Sequence, residues 1–151
     1  MMKKVTALAL AALLACAVMV PGIAAGGSGA AARANSGILV AYFSCTGTTE
    51  GIAGYIADIL GADQYRIEPA EPYTSADLDY SNAASRANQE QNDAGARPAI
   101  SGGIDHIGQY DTVFLGYPIW WGQAPKIIST FLESHDFSGK TIIPFCTSGS
   151  S

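Results

Sequence analysis

The chain has 151 residues, close to the length of one domain, and 48% apolar against 14% charged residues, which excludes a disordered chain and allows a single core. Formal net charge is -5 and the eight Lys and Arg are scattered. Without a basic run, nucleic-acid binding has no electrostatic footing.

The first 25 residues read as an export signal: Lys3 and Lys4, an apolar stretch over residues 5–20, then Pro21, Gly22 and small residues. The apolar stretch is short for a membrane span. Two processing routes fit. "LLAC" at 13–16 has the form of a lipoprotein box that would leave a lipid anchor on Cys16, whereas Ile23, Ala24 and Ala25 suit ordinary cleavage. Either route removes both lysines and takes the formal charge to about -7. The expected product is an acidic, extracytoplasmic domain, secreted or periplasmic, or membrane-anchored through Cys16. Residues 26–37, "GGSGAAARANSG", form a small-residue linker. Gly27, Gly29 and Ala32 there match a dinucleotide fingerprint nominally, but no strand precedes them.

From residue 38 strand and helix signals alternate, which predicts an α/β fold with a doubly wound, open parallel sheet. Residues 38–43, "ILVAYF", are apolar throughout, as in a central strand. The loop "SCTGTT" follows, and then Ile52, Tyr55, Ile56, Ile59 and Leu60 recur at helical spacing up to Gly61, predicting a helix with that stripe toward the core. "QYRIE" at 64–68 alternates apolar and polar residues, as an edge strand does. An insertion over 70–108 is polar and weakly amphipathic, with a helix expected from about Ser75 that covers the sheet and part of a site rim. "TVFLGYPIW" from Thr112 is a buried strand, Pro125 starts a helix with Ile127, Ile128, Phe131 and Leu132 inward, and "TIIPFC" at 141–146 is a fourth strand. These features predict sheet order 2-1-3-4. A fifth strand and closing helix would be expected next, but the sequence ends at Ser151, so the domain over 38–151 reads as incomplete and strand four as an open apolar edge. Pro144 in that strand is awkward and suggests a bulge.

In such a sheet, ligands lie outside the carboxyl ends of the strands. Three loops should meet there. The first offers the hydroxyls of Ser44, Thr46, Thr48 and Thr49, the backbone freedom of Gly47, and amides at a helix N-terminus that favour an anion. Read alone it is equally an ordinary capped turn. It lacks the Gly-Lys-Ser/Thr of a nucleotide-binding loop, the arginine a cysteine phosphatase carries six positions after its cysteine (Gly51 stands there), and a phosphoacceptor aspartate, since Tyr117 and Pro118 end strand three. Phosphate would be gripped here rather than transferred. The second loop brings Tyr117, Pro118, Ile119, Trp120, Trp121 and Gly122. Two adjacent indoles cannot both enter one core, so one should face the crevice and stack on a planar ring. The third supplies Thr147, Ser148 and Gly149, small polar residues suited to a ring's edge.

The chain from residue 38 to 151 resembles the flavodoxin family, whose phosphate loop S/T-x-T-G-x-T is matched by Ser44, Thr46, Gly47 and Thr49. "GYPIWWGQAP" and "PFCTSGS" are similar to the two loops that clamp the flavin. The resemblance implies FMN as cofactor. Ser44, Thr46, Gly47, Thr48 and Thr49 would hold its phosphate, Cys45 would be a further cofactor contact in the same loop, and residues 117–122 and 147–149 would flank the ring. No catalytic side chain is implied, because the flavin carries the chemistry. The implied function is an exported electron-transfer protein whose redox partners dock on an acidic surface. The alternatives are an FMN-dependent NAD(P)H:quinone-type oxidoreductase and a remnant that no longer holds flavin. Cys45 and Cys146 would lie two strands apart, roughly 9.5 Å, beyond disulfide reach. Cys45, near a helix N-terminus, has two readings, a thiol of lowered pKa or a plain loop residue. His106 and His135 have no metal-ligand spacing and read as packing or surface residues.

Overall fold

The computed structural model describes residues 37–149; the export segment, Cys16, most of the linker, Ser150 and Ser151 lie outside the described residues. The first apolar run forms β1 (Ile38–Tyr42), buried from Leu39 onward. It is flanked by β2 (Asp63–Arg66) on one side and β5 (Thr112–Pro118) on the other, with β6 (Thr141–Thr147) beyond. All these pairings are parallel, and the order β2-β1-β5-β6 is the predicted 2-1-3-4 order of the sheet's own strands. β3 (Glu68–Pro69), just before the insertion, and β4 (Ile100–Ser101) within it pair antiparallel as a separate ribbon.

Helices lie on both faces. On one face α3 (Lys126–Glu133) packs Ile127, Ile128 and Phe131 into a cluster with Leu39, Phe43, Val113 and Leu115. Each such side chain contributes about 1.5–3 kcal/mol by leaving water. Leu132, expected inside, is 36% exposed, because 127, 128 and 131 already fill the stripe that meets the sheet. On the other face α1 (Thr48–Leu60) lies against Val40 and Tyr42.

The inward side of α1 differs from the expected one. Thr49, Ala53 and Ala57, spaced four apart, are buried, whereas Ile52, Tyr55, Ile59 and Leu60 are exposed, Ile59 at 82%. Ile56 is half-buried. The sheet surface beneath already carries the bulk of Tyr42, Phe114 and Phe145, so small residues let the helix approach closely. Gly61 ends the helix in the left-handed conformation (φ 61°), as its place in the sequence predicted.

The helix expected from Ser75 is also displaced: residues 75–85 form turns, and α2 spans Arg86–Asn92. Thr74 and Asp77 bond one another reciprocally, Thr74 N–H and Oγ1 donating to Asp77 Oδ2 (2.8 and 2.7 Å). Such side-chain bonds compete with helix formation and fix a turn. In β6 the register with β5 runs unbroken from Thr141 to Thr147, so Pro144 sits in the sheet without a bulge. It can do so because β6 is the sheet's edge among the described residues, where a missing N–H is tolerated. Thr141, Ile142, Ile143 and Pro144 are exposed along this edge.

Gly116, near the carboxyl end of β5, is covered by the ring of its register partner Phe145, and a Cβ at that position would fall inside the ring. Gly116→Ala is therefore expected to lower unfolding free energy by about 1–3 kcal/mol. A denaturant midpoint equal to that of the parent protein would mean that Phe145 swings aside without cost.

Candidate functional site

The three loops after β1, β5 and β6 meet at the carboxyl end of the sheet and enclose a cleft of about 370 Å³. Its walls include Ser44, Cys45, Thr46, Thr48 and Thr49 from the first loop, Pro118, Ile119 and Trp120 from the second, and Thr147, Ser148 and Gly149 from the third. Loops of small polar residues hold this shape because they are stitched to one another. Thr49 Oγ1 and Thr147 Oγ1 share a hydrogen bond of 2.8 Å, and Ile119 N–H donates to the Thr147 carbonyl (2.8 Å). Thr147 thus joins all three loops, so its hydroxyl has a structural partner as well as a place in the wall.

Within the first loop, Gly47 N–H donates to Ser44 Oγ (3.1 Å), closing a tight turn. Gly47 takes φ 85° and serves as the N-cap of α1 without any side-chain cap bond. A glycine suits that left-handed position, where a Cβ would be strained. The first-turn amides of a helix have no partner inside it and carry the positive end of the helix dipole. Thr46 and Thr48 are exposed, with their hydroxyls 3.5 Å apart on the cleft wall. Amides and hydroxyls are therefore presented together, an arrangement that can accept an anion. No charged side chain is among the residues that line the cleft. A cation stands behind the loop: Arg66 donates to the Ser44 carbonyl (3.2 Å) and pairs with Glu50 and Glu68. It braces the loop from outside, and a sequence reading of the loop alone gave no sign of it.

The two indoles take different environments, Trp120 lining the cleft and Trp121 lying outside its wall. Trp120 is 3% exposed, with ring edges against Phe43 and Tyr73 at centroid distances of 5.6 and 5.3 Å. Trp121 is 40% exposed. The cause is a turn in which Trp120 and Gln123 exchange both backbone hydrogen bonds while Trp121 (φ 46°) and Gly122 (φ 75°) occupy the centre. Positive φ at both central residues is the mark of a type I′ turn, which turns the second indole out of the core. Tyr117 is half-buried at the sheet, and Tyr117, Gly47, Trp121 and Gly122 do not line the cleft directly.

A model of the flavodoxin family matches residues 37–151. The chain belongs to the flavodoxin family. Two solved structures share the fold at high identity. A protein assigned as a flavoprotein from Bacteroides eggerthii is 57% identical over 76% of this chain and 72% of its own, with a TM-score of 0.74. Another from Bacteroides uniformis is 52% identical over 76% and 73%, also at 0.74. A flavoprotein of Lactobacillus acidophilus in complex with FMN has the same fold at 23% identity, a TM-score of 0.63, and 76% coverage of each chain. No curated protein matches the sequence.

This flavodoxin-family site also holds residues that the sequence did not single out. Leu78 and Tyr80 of the insertion complete the cleft wall. Gln91 of α2 is 7% exposed, and its Nε2 donates to the carbonyls of Trp120 (3.2 Å) and Ala124 (3.3 Å) while its Oε1 accepts from Lys126 N–H (3.1 Å). One buried amide therefore fixes the tryptophan turn to the start of α3. Nothing in the polar stretch "RANQEQND" distinguishes Gln91 from its exposed neighbours.

Cys45 lines the cleft from the loop after β1, Cys146 lies on β6, both are free thiols, and β5 stands between β1 and β6. Burial pushes the Cys45 thiol up to about 11, opposite to the lowered value that the nearby helix end had suggested. Desolvation disfavours the thiolate, and Cys45 stands before the helix rather than at its cap. A raised thiol pKa leaves the neutral form in place at physiological pH. Alkylation at pH 8 should then modify exposed Cys146 first, with Cys45 labelling rising about ten-fold per pH unit toward pH 10. Rapid labelling of Cys45 at pH 7 would contradict this. His135 is engaged in packing: its Nε2 accepts from Ile104 N–H (3.2 Å) and its ring lies against Phe131 and Phe137.

Proposed function

We propose that the cleft binds FMN and that the protein carries electrons as an exported flavodoxin. One observation supports this above others: a cation-free cradle of hydroxyls and amides opens into the same cleft as an aromatic and aliphatic wall. The residues fit the two ends of FMN. The hydroxyls of Thr46 and Thr48 with the amides around Gly47 would hold the phosphate, and Pro118, Ile119, Ser148 and Gly149 would border the ring. Cys45 takes part through its backbone and bulk, as a neutral thiol. Bound FMN would supply the redox chemistry, accepting and releasing electrons through its ring.

The titratable side chains of the cleft wall are Cys45 and Tyr80, and burial raises the pKa of both. Both therefore stay neutral near pH 7 and add no charge to the cleft wall. The acidic product expected after signal removal suits a partner with a basic docking face, by complementarity of charge. Export rests on the sequence of residues 1–25. The discriminating experiment reconstitutes the purified protein with FMN. Reduction only through a partner reductase is expected. Steady turnover of NAD(P)H with a quinone by the protein alone would favour the oxidoreductase reading instead.

A further inference from the structure

An exposed aromatic pair lies at the mouth of the cleft. The rings of Tyr80 and Trp121 are 4.6 Å apart at their centroids and inclined by 43°, and the two residues remain 51% and 40% exposed. Two large rings left half in water at the rim of a cavity are surface that a ligand can cover. Their roles differ, because Tyr80 lines the cleft and Trp121 does not. The contact between them is too close to admit a third ring, and a ligand seated in the cleft meets the pair on the side of Tyr80.

Tyr80 is also held in place. Asp77 Oδ2 accepts from Thr74, as described, and Asp79 Oδ1 accepts from Ser81 N–H (2.9 Å) and Ser81 Oγ (2.6 Å). These turns fix the chain on both sides of Tyr80, and an aromatic ring on a fixed chain loses little entropy on binding. Behind it, Trp121 is kept outward by the left-handed turn that Gln91 anchors.

We propose that Tyr80, supplied by the insertion, is the aromatic contact for the ligand's planar ring, and that Trp121 is a positioning residue acting through it. The proposal rests on the flavin reading of the cleft. Its test compares FMN and riboflavin binding, by quenching of flavin fluorescence, in the parent protein, Tyr80→Ala, Tyr80→Leu, Tyr80→Phe, Trp121→Ala and the Tyr80→Ala/Trp121→Ala pair. Loss of the ring should raise Kd about three- to ten-fold, and by the same factor for both ligands, because the contact is to the ring they share. Tyr80→Phe should restore affinity to within two-fold. Tyr80→Leu keeps apolar bulk and should bind as weakly as Tyr80→Ala, which separates ring contact from simple filling. Trp121→Ala should weaken binding only where Tyr80 is present, so the double variant should match Tyr80→Ala. Parent protein that binds flavin together with a Tyr80→Ala variant of equal affinity would overturn this proposal alone. Additive losses in the double variant would overturn the role given to Trp121. Parent protein that binds neither flavin would overturn the function proposed above and this proposal with it.

Discussion

Thr48→Glu is expected to raise the Kd for FMN by about 100-fold or more while leaving the ligand-free protein at least as stable as before. Two consequences of one helix end act in opposite directions. Thr48 is the first residue of α1, where a carboxylate interacts favourably with the helix dipole by about 0.3–1 kcal/mol. It is also exposed on the cleft wall, where that carboxylate would face the phosphate. Two unit charges about 4 Å apart repel by about 4 kcal/mol at an effective dielectric constant near 20, and a phosphate dianion adds to this. A loss of two orders of magnitude corresponds to only about 2.7 kcal/mol, so it is a conservative expectation. Riboflavin lacks the phosphate, and its affinity should change by no more than a few-fold. Equal losses for FMN and riboflavin would mean that the first loop is not the phosphate site.

Gln91→Leu should be among the most destabilising single substitutions away from the apolar core. Leucine has similar size but offers no partner to the carbonyls of Trp120 and Ala124 or to the amide of Lys126. Leaving such groups unpaired costs about 2–4 kcal/mol in total, which for a domain of this size lowers Tm by roughly 10 °C. Flavin affinity should fall as well, because the turn that carries Trp121 and the wall residue Ile119 lose their anchor. A Tm within about 2 °C of the parent would show that water replaces the amide without penalty.

The parts of the site that could be read in the sequence are contiguous and obey local rules. "SCTGTT" sits between a buried strand and a helix, and the expectation that it suits an anion rests on glycine conformation and helix-end chemistry alone. The sheet order followed from an edge-like β2 beside fully apolar β1 and β5. Other features depend on tertiary packing. The inward face of α1 was misassigned because large apolar residues dominate a periodicity count, whereas alanines decide how closely a helix can lie on a crowded sheet. The choice between Trp120 and Trp121 is set by the turn around Gly122, and neither residue type announces that φ is positive at both. Tyr80 and Gln91 lie in an insertion without periodicity, and only the folded chain brings them to the cleft and to the loop that shapes it.

The central claim is that one cleft grips FMN by its phosphate and by its ring. Titration of FMN into the purified protein, followed by flavin fluorescence and by the visible absorbance bands, tests it most directly. Saturable one-to-one binding is expected, with FMN held at least ten-fold more tightly than riboflavin because the first loop would add its contacts to the phosphate. Absorbance and fluorescence of FMN unchanged by excess protein, or equal affinity for the two flavins, would contradict it.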